Sequence, residues 1–511
     1  MIVRFFNSRR GASSPVPDEA SNLPQESGLD ATIEGGETSL GTSSETGSER
    51  LPVETVRLSM GRVVMAWGFG AAFFNLTMGA IYTSFVLRLG GDERVLGFLF
   101  AALPLMSFLQ VISARLIEKT GQRKRQMMIA GLVGRSLWMV TPLFPMFVHW
   151  FPGVIRHEHV LPMVIGCVLL SSVCQAFTGP AFFAWMSDLV PARVRPKFFA
   201  ERMRVGTTAA IFTALASGYI ADRYPSNEVL YGLLVFAGFC GLMDVALFIG
   251  VKEPPVDGMP KNEKLPSVRA SLGEALGDSN VRRFLAFVSL LCIGYGLTGA
   301  ISWLFALEYL NYPKTTAALV LNIGPLLGVA LTSSFWGAMI KRYGNRPVIR
   351  LCSVGIAIVP LGFITAQNNT WFWLWVVTFF SGIVAAGIEL TNVNQITSLA
   401  PHIPRSTMTA IFSITAGLSM AAASLLSGQL AHMLRWVDEM EFQPFGLEIV
   451  NYHLLFGLAL LLRLFNAVFV APRLQEPTAT PTLEAVKEMV PEIIQALAER
   501  LSRPVHWRAG D

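Results

Sequence analysis

Apolar residues along this chain fall into twelve blocks separated by short polar stretches. The blocks lie at 63–87, 95–117, 127–147, 161–185, 205–221, 229–251, 284–305, 316–340, 348–366, 372–396, 409–430 and 449–470. Each is roughly 17 to 25 residues long, the length a helix rising about 1.5 Å per residue needs to cross a hydrocarbon core of about 30 Å. Strands of a membrane barrel would run about ten residues with alternating polarity, and the blocks show no such alternation. The pattern predicts an all-α membrane protein with twelve transmembrane helices.

Composition agrees. Of 511 residues, 52% are hydrophobic and 15% charged, and the mean hydropathy is +0.49. Soluble domains are about 25% charged, so an ordinary soluble enzyme, a disordered chain and a nucleic-acid module are excluded. The five cysteines, Cys167, Cys174, Cys240, Cys292 and Cys352, stand inside apolar blocks. They lack the close pairing of a zinc site and read as small buried hydrophobes.

Residues 1–58 hold five Arg against nine Asp and Glu and are rich in Ser, Gly and Thr. Such a segment buries too little surface to offset its chain entropy, so a disordered tail is expected there. A bundle of six helices then occupies 59–251, a Pro-rich linker 252–283, a second bundle of six 284–472, and a tail 473–511 whose Leu483, Val486, Val490, Ile493, Leu497 and Leu501 recur at helical spacing. Loops after even-numbered blocks, together with Arg115 and Arg350 at the edges of their blocks, carry 21 Lys and Arg against 6 after odd-numbered ones. By the positive-inside rule this puts the even loops and both termini in the cytoplasm.

The two halves repeat each other. Ala114-Arg-Leu-Ile-Glu118-Lys119-Thr-Gly121-Gln-Arg123 follows the second block, and Gly337-Ala-Met-Ile-Lys341-Arg342-Tyr-Gly344-Asn-Arg346 follows the eighth. A second pair, Asp188-Leu-Val-Pro191 with Arg195 and Ser398-Leu-Ala-Pro401 with Arg405, follows the fourth and tenth. Glu253-Pro254 and Glu476-Pro477 close each half. Duplication at matching topological positions is the mark of a transporter built from two parallel repeats. Over residues 61–472 the chain resembles the major facilitator superfamily, whose signature in the loop between helices two and three is a small residue, an acid, a base, Gly and a basic cluster. Here Glu118 stands for the usual Asp, Ala114 for Gly, and Lys341 reverses the acid's sign in the second copy.

The resemblance implies two pseudo-symmetric six-helix bundles, with helices 1, 4, 7 and 10 around a central cavity and 3, 6, 9 and 12 on the flanks. The motif residues Glu118, Lys119, Gly121, Arg123, Lys341, Arg342, Gly344 and Arg346, with Asp188 and Arg195, would form gating loops that latch to helix ends and to the other half. Two family patterns are missing: Ser172 occupies the place of an Arg three residues before Gln175, and Ala216-Ser217-Gly218-Tyr219 lacks the proline of many drug antiporters.

Charges inside membrane helices cost roughly 2.5–3.5 kcal/mol each, so each needs a partner or a wet cavity. Arg135 in the third block and Asp244 in the sixth are expected to pair as a structural bridge. Glu389 in the tenth block either pairs with Arg463 of the twelfth or carries a proton; it shares a polar face with Asn392 and Gln395. Asn75, Gln175 and Tyr295 are candidate substrate contacts alongside Glu389 and Asn392, with ordinary helix packing as their other reading. Trp185 and Trp303, near block ends, are expected to anchor at the interface.

The expected function is secondary active transport of a small organic solute by alternating access, with the proton as candidate coupling ion and Glu389 and Arg463 as candidate coupling residues. The chain shows no Gly-rich phosphate loop ending in Lys and Ser or Thr. No enzyme activity, metal, cofactor or nucleic-acid partner is expected. The protein is expected to work as a monomer among lipids in a bacterial inner membrane. The alternative is a membrane receptor or scaffold that signals through its tails.

Overall fold

The structure is a computed structural model and describes residues 52–151, 156–191, 194–254, 273–274, 276–399, 405–440, 448–476, 484–485, 487–488 and 491. The expected tail up to residue 51, linker residues 255–272 and most of the amphipathic segment beyond 476 lie outside the described residues. Those that are described form helices and no strands.

Among the described residues, eleven helices have the length and apolarity to cross a membrane. They are α1 (Val53–Arg88), α2 (Glu93–Thr120), α3 (Arg123–Val148), α4 (His157–Leu189), α6 (Asn227–Gly250), α7 (Ser279–Tyr309), α8 (Lys314–Tyr343) and α9 (Asn345–Ile364), α10 (Trp371–Ser398), α11 (Arg405–Met433) and α12 (Asn451–Arg473). The fifth expected span is the helix α5 (Arg195–Arg223). It is long enough but more polar, because Arg195, Lys197, Glu201, Arg202 and Arg204 occupy its first turns and Asp222 and Arg223 its last.

Most helices outrun their apolar blocks, since a helix continues into the polar layer until something stops it. α1 starts at Val53, inside the segment expected to be tail. It is broken at Gly79, whose extended backbone separates Val53–Met78 from Ala80–Arg88. Pro104 is followed by a 3₁₀ turn, Met106–Phe108, in α2, because proline removes a ladder hydrogen bond. Gly121 and Gly344, with φ of 67° and 89°, end α2 and α8 in a region of backbone space that favours glycine.

Within the first six helices, α1 packs on α5 and α6, and α3 on α4 and α6. Within the second six, α7 packs on α11 and α12, α8 on α10, and α9 on α10 and α12. The halves meet along two seams, α2 with α11 and α5 with α8. Glycines let the backbones close. A Cβ on Gly97 would strike Ser424 and Gly428, and one on Gly218 would strike the Thr315 backbone, the small-residue packing that membrane helices use in place of a hydrophobic drive.

Bonds between described residues of the two halves lie at the end of the molecule where α2 and α8 begin. Arg435 grips the Glu93 carboxylate with Nε at 3.0 Å and Nη2 at 2.6 Å. Asp222, at the end of α5, caps α8 by accepting from the Lys314 and Thr315 backbone N–H groups at 2.8 and 2.9 Å and from the Thr315 hydroxyl at 2.7 Å. A carboxylate at a helix N-terminus satisfies orphan donors and meets the positive end of the helix dipole.

Trp185 and Trp303 depart from the interfacial expectation. Trp185 is fully buried, its indole N–H donates to the Lys252 carbonyl at 3.3 Å, and the Lys124 ammonium lies over its ring. Trp303 is buried beside the break at Gly79. Both sit near span ends but face protein, which a one-dimensional pattern does not distinguish from facing headgroups.

Candidate functional site

A cavity of about 460 Å³ opens among α1, α2, α3 and α4, with Met420 of α11 closing one side. That volume falls in the range of about 300–1,000 Å³ typical of small-molecule sites. Its wall is aromatic: Phe73, Phe74, Tyr82, Phe100 and Trp138. Tyr82 and Phe73 each meet Trp138 edge-on, with ring centroids 5.3 and 6.0 Å apart, the offset arrangement that ring quadrupoles favour. Polar groups are few. Gln110, Gln175, Ser107, Ser171 and Ser172 line it. Ser171 donates to Gly134 O at 2.9 Å and Ser172 to Val168 O at 2.8 Å, while the buried Tyr82 hydroxyl and Ser107 Oγ have no hydrogen-bond partner among the described residues.

Arg135 reaches this wall from α3. Its Nη2 meets Asp244 Oδ2 at 3.3 Å, and its guanidinium lies 3.9 Å from the Phe73 ring centroid and 4.8 Å from that of Phe74. Two glycines make room for the pair. A Cβ on Gly70 of α1 would lie 2.9 Å from Asp244 Oδ2, and one on Gly241 of α6 would lie 2.8 Å from Arg135 Cδ.

Arg463 is bound differently. From α12 it donates to Gly294 O at 2.9 Å and to Thr298 Oγ1 at 3.0 Å, both on α7, and to Ile356 O of α9 at 3.4 Å. The Tyr295 ring centroid is 5.1 Å from its guanidinium carbon. Glu389 is not bonded to it. That carboxylate is exposed on α10 and forms no hydrogen bond or ion pair among the described residues. Asn392, one turn on, is buried with its Oδ1 unpartnered, and Gln395 is buried as well.

The remaining candidates scatter. Gln175 lines the cavity, but Asn75 faces a small separate void with Trp303 and Asn322. Tyr295, Glu389 and Asn392 line neither. Residues that sequence reasoning passed over, Trp138, Phe73, Phe74 and Gln110, supply much of the wall. Gln110, an amide inside an apolar block, was a readable signal; the aromatics were not, because lipid-facing positions are aromatic too.

In the repeated loops the basic residues, not the acid, do the bonding. Glu118 and Lys119 are exposed. Arg123 is buried, pairs with Asp188, and approaches Glu253 at 3.7 Å. Lys124 donates from its backbone to Glu253 Oε1 at 3.1 Å and from Nζ to the carbonyls of Ile249 and Val251 at 2.8 and 2.7 Å. Arg195 holds the end of α4 through Ser187 O at 2.7 Å. In the second copy the Arg346 N–H and Asn345 Nδ2 donate to Glu476 at 2.7 and 2.9 Å. Lys341 and Arg342 are exposed, and Arg342 approaches Glu488 at 3.6 Å. Glu253 and Glu476 thus cap equivalent helices, α3 and α9. Each of these bonds stays within one half.

The Major Facilitator Superfamily model matches residues 58–424 and 308–509. No curated protein sequence matches the chain. Among solved structures, an aspartate-to-alanine mutant of the nucleoside transporter NupG is similar at 13% identity and a TM-score of 0.64, covering 82% of this chain and 100% of its own. The xylose transporter XylE from E. coli, in an inward open conformation, aligns at 14% identity and 0.57, covering 85% and 99%. A bacterial homolog of the human lysosomal transporter Spinster aligns at 13% and 0.56, covering 84% and 100%.

Proposed function

The chain belongs to the major facilitator superfamily, and from that premise we propose that it carries a small organic solute through the cavity beside Arg135 by rocking 59–251 against 284–472. It is an integral membrane protein and a secondary transporter. The single observation that carries the mechanism is the latch: Glu93–Arg435 and Asp222–Thr315 join the halves at the end where α2 and α8 begin. A cavity in a molecule latched at one end is accessible from the other, and breaking the latch while closing the opposite loops would reverse that access.

The basic bias of the even-numbered loops supports an orientation with these loops and both termini in the cytoplasm. The closed end then faces outward and the structure is inward-facing. We assign the protein to a bacterial inner membrane and take it to act as a monomer surrounded by lipid. Arg123, Lys124 and Arg195 preserve the inner ends of each helix for re-closure, with Gly121 and Gly344 as their turns. The proton is our candidate coupling ion, carried by Glu389, whose exposed carboxylate has no competing bond among the described residues; Arg463 then acts as a structural anchor rather than its counter-ion.

A protein freed of its native cysteines and carrying Asp222→Cys and Thr315→Cys, whose side chains already touch across the seam, reconstituted in vesicles and screened with a solute mixture, tests the mechanism. Protein-dependent accumulation should disappear on disulfide formation across the outer seam and return with reductant. In the uncross-linked protein Glu389→Gln should abolish the response to a pH gradient. Accumulation indifferent to the cross-link would refute rocking of the halves.

A further inference from the structure

Resting on the reading of the cavity as the substrate site, its wall identifies the chemical class of the solute. Arg135 is the one lining side chain with a formal charge. Its partner Asp244 is not part of the wall but lies behind it, held against Gly70. Asp244 pairs with Arg135, while Arg202 of α5 is stacked 4.0 Å from the Trp67 ring centroid and 4.6 Å from that of Phe182. The pair is neutral as a whole, but of its two ends the guanidinium alone faces the largely apolar chamber. In such surroundings a charge acts more strongly than in water, because little solvent screens it.

The rest of the wall specifies what accompanies the opposite charge. Phe73, Phe74, Tyr82, Phe100 and Trp138 offer ring faces and edges to an apolar body. The Tyr82 hydroxyl is buried without a partner among the described residues, and leaving such a group unsatisfied is costly. A ligand oxygen or nitrogen near it would remove that cost. We infer that the solute is a small organic anion, an aromatic or similarly bulky apolar body bearing a carboxylate-type oxyanion directed at Arg135, with the Tyr82 hydroxyl hydrogen-bonded to the bound molecule.

Equilibrium binding to the purified protein in phosphatidylcholine nanodiscs tests this with three probes of one shape: 2-naphthoate, 2-naphthamide and 2-naphthylmethylammonium. The carboxylate should bind at least tenfold more tightly than the amide, and the ammonium should be the weakest. The Arg135→Gln, Asp244→Asn double variant, which removes both charges together, should erase the preference for carboxylate over amide. Tyr82→Phe should weaken naphthoate about threefold and serves as the second variant if the double one does not fold. Equal affinity for carboxylate and amide in the native protein overturns the anion class. So does naphthoate binding that ignores Tyr82→Phe and Trp138→Ala, or that phosphatidylglycerol displaces, since the anion then sits elsewhere or the site belongs to lipid. No gradient enters these measurements, so their failure leaves the rocking mechanism standing, whereas naphthoate binding as expected in a protein insensitive to the seam cross-link condemns the mechanism and not the class.

Discussion

Each half of the protein buries an arginine in its helical core and solves the cost in its own way. In the first half Arg135 meets a carboxylate, Asp244, across α3 and α6. In the second, Arg463 has three oxygen acceptors and a tyrosine ring, and no carboxylate among the described residues. Both need a glycine opposite: Gly241 for Arg135, and Gly294 for Arg463, where an added Cβ would lie 2.8 Å from Nε. The difference follows from what surrounds them. Arg135 borders a cavity, where charge can be used; Arg463 is packed between α7 and α9, where carbonyl oxygens suffice to hold it. Repeats of one architecture therefore keep the device of a glycine-accommodated buried cation while only one half keeps the cation at a site.

The contrast is broken most severely by removing one partner. Asp244→Asn leaves Arg135 uncompensated and should cost about 3–5 kcal/mol of stability in detergent unfolding, while adding Arg135→Gln should recover part of that loss. Arg463→Met leaves behind carbonyls that can bond within their own helices, and should cost less than Asp244→Asn. An Arg463→Met loss as large as the Asp244→Asn loss would show that the second half hides a counter-charge. Next in size, Gly241→Ala and Gly294→Ala should each cost about 1–3 kcal/mol by overpacking; thermal midpoints that stay at the native value would mean that the arginines have room to move aside. The smallest effect belongs to the seam. Arg435→Gln removes the bidentate grip on Glu93 and should shift the balance of the two access states by about 1–2 kcal/mol, a factor of roughly 5–30, read as a longer distance between spin labels on α2 and α11 at the latched end. An unchanged distance distribution would assign the closure to the glycine seam alone.

How far the pattern along the chain reaches can be seen helix by helix. Eleven of the expected spans fall on described helices apolar enough to cross a membrane, because a long apolar run between polar flanks has few options in a bilayer, and the fifth falls on the more polar α5. The turns at Gly121 and Gly344 were legible from their duplicated surroundings. The pairing of Arg135 with Asp244 was a reasonable expectation from helix order, whereas the partners of Arg463 were not foreseeable, since backbone carbonyls leave no mark in a sequence. The cavity wall was the least legible part. Gln175 was singled out, but Phe73, Tyr82 and Trp138 read as ordinary apolar filler until their rings are seen to meet.

Sequence by itself determined the membrane helices, their repeat and the asymmetry of charge between their ends, because each depends on residues close together along the chain and on the solvent they meet. Tertiary structure alone decided which end is latched, that Glu389 stands apart from Arg463, and that the chamber is walled by α1 to α4 rather than by α7 and α10. Those outcomes depend on which faces of distant helices touch, and contacts such as Glu93 with Arg435 join residues hundreds of positions apart.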